Sequence, residues 1–208
     1  MSLPLRIIFD FSCPYCYLAW GFVRKLGQTT KLSTEWIPWE IHPDVPLVGA
    51  HIQDVVEGVN LSERREKLNT LGSPVGLAPG EKVFVPNTRL ALRGLEFAKE
   101  FRRENEWVDA VFNASYIGGK NIGDIIILEE IVQRVGLDLG QFRKAMNEGR
   151  FGDVLLKNDQ ECAAKQVEWV PTFFIGGEKI IEGAFTYAAF EEKMLSVSTN
   201  PAYPTHSL

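Results

Sequence analysis

Cys13 and Cys16, three residues apart in Cys13-Pro14-Tyr15-Cys16, are the side chains of this 208-residue chain best suited by type and spacing to do chemistry. Such a pair can exchange disulfides, form half of a zinc site, or be inert. Its neighbourhood favours the first. Residues 5–11 are dense in branched and aromatic side chains, the pattern of a short buried strand. From Pro14 onward, Leu18, Phe22 and Leu26 recur every fourth residue, so an amphipathic helix is expected, ending near Gly27. Pro14 suits the first helical position, where its missing N–H costs nothing. Cys13 then falls at the N-cap and Cys16 one turn further, on the same face. Unpaired N–H groups and the partial positive charge of a helix N-terminus favour thiolate over thiol. Cys13 is therefore the expected nucleophile, exposed at the helix tip, and Cys16 the deeper resolving thiol.

A zinc site needs four ligands, and the remaining Cys162, His42, His51 and His206 lack metal-like spacing, so no metal is expected. Cys162 lies seven residues after Leu155 and is read as core filler. His42 is taken as a loop or capping histidine, and Asp10 and Glu40 as solvated or capping carboxylates. Trp36, Trp39 and Trp107 are assigned to the core. Lys99, Arg102 and Arg103 are assigned to a solvated helix face.

The elements that position the pair follow from periodicity. Residues 33–41 read as a second strand, closing a βαβ opening over 5–41. Helical patterns follow at 61–71, 87–104, 107–117, 124–135, 139–147 and 153–166, with Asn87 as a cap candidate and a glycine- and proline-rich loop at 72–86. Residues 172–175 and 179–182 flank Gly176-Gly177 and predict a hairpin. A last helix is expected at 186–195. The order is βαβ, helical block, ββα. It implies an α/β domain built from residues 1–50 and 151–198, an all-helical insertion at 51–150, and a flexible tail at 199–208.

Net charge of −5 argues against nucleic acid or an anionic membrane as partner, because both need a basic face. No apolar run approaches the roughly 18–20 residues that span a bilayer. Three cysteines do not make a disulfide scaffold. The opening Met1-Ser2-Leu3-Pro4-Leu5-Arg6 lacks the basic and apolar regions of a secretory leader, so a cytoplasmic setting is expected. In a reducing cytoplasm, reductase or isomerase work fits better than oxidation.

A second element lies far downstream. Pro171, in Val170-Pro171-Thr172-Phe173, precedes a strand, where a missing N–H is tolerated, and the sequence alone leaves its isomer open. Together with the cysteine motif and the terminal ββα unit, it resembles the thioredoxin superfamily. The helical insertion resembles the DsbA family. Pro38-Trp39-Glu40-Ile41-His42-Pro43-Asp44, Asn87-Thr88-Arg89-Leu90-Ala91-Leu92, Gly136-Leu137-Asp138 and Gly183-Ala184 are similar to its FrnE-like branch. The likeness runs from about residue 5 to 195. It implies a thioredoxin-like fold interrupted by the insertion, and a cis Pro171 packed on the cysteines. It also implies catalysis by Cys13, Cys16 and Pro171, with substrate contacts from Pro14, Tyr15, Trp169, Val170 and Thr172. The Val170 backbone could then hold an extended polypeptide.

Departures matter too. Relatives often bury a carboxylate six residues before the first cysteine, where this chain has Ile7, and Trp169 replaces a small residue. The expected activity is thiol–disulfide exchange on disulfide-containing polypeptides or small thiols, without a bound cofactor. Glutathione is a candidate electron donor, and a homodimer is compatible with the sequence. Phe9-Asp10-Phe11-Ser12-Cys13-Pro14-Tyr15 is also similar to kappa-class glutathione transferases and hydroxychromene-carboxylate isomerases, which place serine at Cys13. A third reading is a redox-sensing binding module.

Overall fold

Strand β1 (Leu3–Phe9) buries Leu5, Ile7, Ile8 and Phe9, as befits a strand covered on both faces. The computed structural model describes residues 2–79 and 83–198. Helix α1 (Pro14–Leu26) carries the chain over to β2 (Leu32–Pro38), which pairs parallel to β1 with Ile7 opposite Trp36. On its other edge β1 pairs antiparallel with β5 (Thr172–Ile175), placing Ile7 opposite Phe173. Strand β6 (Glu178–Glu182) completes a sheet of order β2-β1-β5-β6. Gly176 and Gly177 adopt φ of 58° and 88°, the left-handed values that the predicted β5–β6 turn requires.

Between β2 and β5 lie α2 (Ile52–Val55), α3 (Leu61–Gly72), α4 (Arg89–Lys99), α5 (Glu104–Phe112), α6 (Ile125–Arg134), α7 (Leu139–Asn147) and α8 (Gly152–Ala164). The insertion also contains a ribbon of two residues per strand, β3 (Ala50–His51) with β4 (Phe84–Val85), too short to show a period. Helix α9 (Tyr187–Ser198) closes the described chain, and the expected tail at 199–208 lies outside the described residues.

The single helix expected over 87–104 stops at Lys99. The chain turns through Arg102 at φ 56°, and α5 begins after Arg103. Arg102 and Arg103 therefore occupy a connection and not a helix face. Lys99 folds back onto Glu96 at 2.5 Å.

The core is continuous between sheet and insertion. Phe112 of α5 packs its ring against Phe9, Phe11, Tyr17 and Trp20. Trp36 and Trp107 are buried as expected, whereas Trp39 is half-buried because it faces the cavity described below. Cys162 is buried, and that burial lifts its thiol to about 12. No described helix is long and apolar enough to cross a membrane.

Candidate active site

Cys13 is the N-cap of α1 with extended backbone (φ −78°, ψ 118°), and Pro14 opens the helix. The Cys13 carbonyl accepts the N–H of Cys16 at 3.1 Å and of Tyr17 at 3.2 Å, so the turn is locked by its own backbone. Both thiols are free. Cys16 is fully buried. Cys13 is only 7% exposed, which corrects the expectation of an open helix tip. The reason is the segment before β5: Cys13 Sγ donates to the Val170 carbonyl at 3.6 Å. The Val170–Pro171 peptide is cis.

Burial pushes both thiols up, but unequally. At Cys13 the Cys16 thiol and the N–H groups of Cys16 and Tyr15 aim at the sulfur and bring it below the ordinary cysteine value. At Cys16 burial is reinforced by the hydrogen bond and charge of Cys13, and the thiol is driven well above that value. The acidic sulfur is thus the one nearer the surface.

Asp10 is fully buried, which corrects its assignment as a solvated residue. One carboxylate oxygen accepts from the Ser12 N–H at 2.6 Å and the Ser12 hydroxyl at 2.7 Å. The other accepts from the Ile41 N–H at 3.1 Å and the Thr88 hydroxyl at 3.0 Å. Four donors offset the cost of burying this charge, although burial still raises its pKa. Its negative charge opposes ionisation of both Cys13 and Cys16. An Asp two residues before a Ser, just past a strand, is the spacing of an Asx turn and was a readable signal.

Tyr116, in the single π-helical turn Asn113–Ile117 after α5, reaches the site from the insertion. Its hydroxyl donates to the Ser12 carbonyl at 2.8 Å, and its ring stacks on Tyr17 at 4.4 Å. Burial drives its phenol well above the usual tyrosine value, reinforced by the nearby Cys13 and Cys16. No sequence pattern pointed to Tyr116.

An open cavity of about 740 Å³ lies against Cys13. Pro14, Tyr15, Trp169 and Val170 line it, together with His42, Glu40 and the α3 residues Arg64 and Lys67. Trp169 stands 67% exposed at the rim, and Thr172, at the start of β5, is buried with its hydroxyl on the Trp169 carbonyl. Glu182 Oε1 accepts the N–H groups of Glu168 and Trp169 at 2.7 and 3.1 Å, fixing the segment ahead of Pro171. His42 lies in the loop after β2, as expected, and lines the cavity; burial lowers its pKa, with the charge of Asp10 acting the other way. The Glu40 side chain is only 7% exposed and is held by Arg89 at 2.8 Å, so it too is not solvated. Among the described residues no group of three or more His, Cys, Asp or Glu side chains is placed to hold a metal.

Known proteins share this architecture. A probable DsbA oxidoreductase of Streptomyces coelicolor superposes with a TM-score of 0.84 at 18% identity, covering 100% of this chain and 94% of that one. The cytosolic disulfide reductase DsbM of Pseudomonas aeruginosa, solved with GSH, gives 0.66 at 15% identity, over 95% and 98% of the two chains. A 2-hydroxychromene-2-carboxylate isomerase gives 0.66 at 19% identity, over 94% of each. In sequence, YwbO of Bacillus subtilis (strain 168) is 29% identical over 201 residues, 92% of this chain and 96% of that protein. The model of the DSBA-like thioredoxin domain matches residues 5–195, so with a thioredoxin-type sheet, a helical insertion and a dithiol at the head of α1, this chain belongs to that family.

Proposed function

We propose that this protein is a disulfide reductase or isomerase working through Cys13 and Cys16 on polypeptide or small-molecule disulfides in a reducing compartment. The observation that carries the reading is the geometry of the pair: Cys13 is the N-cap of α1, Cys16 lies one turn deeper, and the Val170 carbonyl stands 3.6 Å from Cys13 Sγ. In the reductive direction the Cys13 thiolate attacks one sulfur of a substrate disulfide. A Cys13–substrate disulfide forms and the other substrate sulfur leaves as thiolate. Cys16 gives up its proton, attacks Cys13 Sγ and expels the second substrate thiolate. The substrate has gained two electrons and the Cys13–Cys16 pair has lost them; a small thiol such as glutathione resets the pair. Val170, beside the nucleophile, has main-chain groups suited to an extended peptide, with Pro14, Tyr15, Trp169 and Thr172 framing it around Pro171.

The test is insulin reduction driven by dithiothreitol. Wild type should accelerate it and Cys13→Ser should abolish the acceleration; full activity in that variant would sink the assignment. A second reading, activation of bound glutathione for conjugation or isomerisation, draws support from the fold shared with the chromene isomerase. It predicts that Cys16→Ser retains turnover, whereas the dithiol reading predicts a trapped mixed disulfide.

A further inference from the structure

We propose that α3 gives the dithiol cavity an anion subsite, in which Arg64 and Lys67 hold a carboxylate carried by the substrate disulfide or thiol. The inference rests on the dithiol reading and names the substrate class it would favour. Both side chains line the same cavity as Cys13, Pro14 and Tyr15. The Lys67 ammonium sits 5.7 Å from the centre of the Tyr15 ring, directly beside the cysteine pair. Arg64 is half-buried, and its charge is felt by His42, on the cavity wall, and by Tyr116, which also senses both sulfurs.

Among the charged side chains that line this cavity, these two are the cations, and neither has a counter-ion among the described residues. Arg6, Arg89, Arg143 and Arg150 each hold a carboxylate at 2.6–2.8 Å. Arg64 and Lys67 hold none among the described residues. The cavity's own carboxylates do not neutralise them. Glu40 is taken by Arg89, and Glu63 accepts from the Asn60 amide at 2.8 Å as part of the α3 cap. Glu168, next to Trp169, forms an ion pair with neither cation. On a chain of net charge −5, two unneutralised cations lining the cavity that Cys13 faces form a local concentration of positive charge. They would offset the repulsion between the Cys13 thiolate and an incoming anion.

Single-turnover exchange tests this without any added reductant. The reduced protein is mixed with dithiodipropionate, hydroxyethyl disulfide or cystamine, which are anionic, neutral and cationic, and Cys13–Cys16 oxidation is followed. In Arg64→Gln/Lys67→Gln the rate ratio of anionic to neutral disulfide should fall roughly three- to tenfold relative to wild type, the scale of two partly screened ion pairs. Comparing variant with wild type cancels differences in leaving-group acidity. Independently of any variant, added salt should slow wild-type exchange with dithiodipropionate more than with the neutral disulfide. An unchanged ratio in the double variant, or equal salt dependence, overturns the inference alone. Failure of the wild type to exchange with even the neutral disulfide overturns the dithiol reading, and this inference with it.

Discussion

Asp10 is a buried carboxylate whose charge reaches both neighbouring sulfurs. Its charge lies under both thiols and opposes their ionisation, while the helix turn and the Cys16 thiol promote it at Cys13. Replacing Asp10 with Asn removes the charge and keeps the shape. Cys13 should then ionise at lower pH, and the pair should become more oxidising, because the reduced thiolate form gains stability. Ultraviolet thiolate titration and equilibration against a glutathione buffer would read both; an unmoved Cys13 titration would exclude the role. The same substitution weakens the acceptor for the Ile41 N–H, Ser12 and Thr88, at a cost of about 1–3 kcal/mol in urea unfolding. Tyr116→Phe keeps the stack on Tyr17 but leaves the Ser12 carbonyl without its phenol donor. It should raise the Cys13 pKa modestly. The placement of the cysteine pair at the head of α1 was legible from Cys13-x-x-Cys16, since strand, proline and helix spacing are local. The burial of Asp10 and Glu40 was not, because each depends on a partner distant in sequence: Thr88 and Arg89 respectively.

Helix ends were legible wherever a short polar side chain catches a free N–H. Helix α7 falls at Leu139–Asn147, as its pattern predicted, with Asp138 Oδ1 accepting the Gln141 N–H at 2.6 Å. Asp138→Ala should therefore cost about 0.5–2 kcal/mol in chemical denaturation. Asn87 catches the Arg89 N–H at 3.1 Å, which marks the start of α4. The far end of α4 was not legible. Leu95, Phe97 and Phe101 keep an apolar rhythm across the break, and the chain reverses so that α5 can lay Trp107 over α4. That crossing requires a residue without a side chain: a Cβ on Gly94 would lie 2.2 Å from the fully buried Trp107 ring. Gly94→Ala should destabilise by about 1–3 kcal/mol despite the better helix propensity of alanine, because the indole has nowhere to go. A stabilised Gly94→Ala protein in the same unfolding assay would refute this packing.

Charge pairing across the whole molecule predicts its response to acid. The hydrogen bonds from Arg6 hold the Glu161 carboxyl below its ordinary range. At Glu182 burial works upward, but Lys179 and the N–H groups of Glu168 and Trp169 outweigh it. A carboxylate depressed in the fold contributes stability above its unfolded pKa, near 4.3, and loses it as pH falls through the folded value. Asp10, raised by burial, acts in the opposite sense and is best tolerated when protonated. Four depressed carboxylates, Glu106, Glu129, Glu161 and Glu182, against two raised, Asp10 and Asp159, predict a thermal midpoint that drops as pH is lowered from about 5 towards 3, and Glu182→Gln should flatten that drop. The broad plan of βαβ, helical block and ββα could be read from periodicity, and the β5–β6 hairpin from its paired glycines, but not that β5 would join β1, since periodicity carries no long-range pairing information. That pairing has a kinetic consequence. Cys13 and the Val170 carbonyl that covers it are 157 residues apart. β1 cannot complete its antiparallel partnership until β5 exists. A chain made from its N-terminus therefore presents both thiols uncovered for most of its synthesis, and contacts of such long range are slow to close. Biogenesis is therefore the stage at which Cys13 is most accessible, and stray disulfides can reach it before the fold shields it.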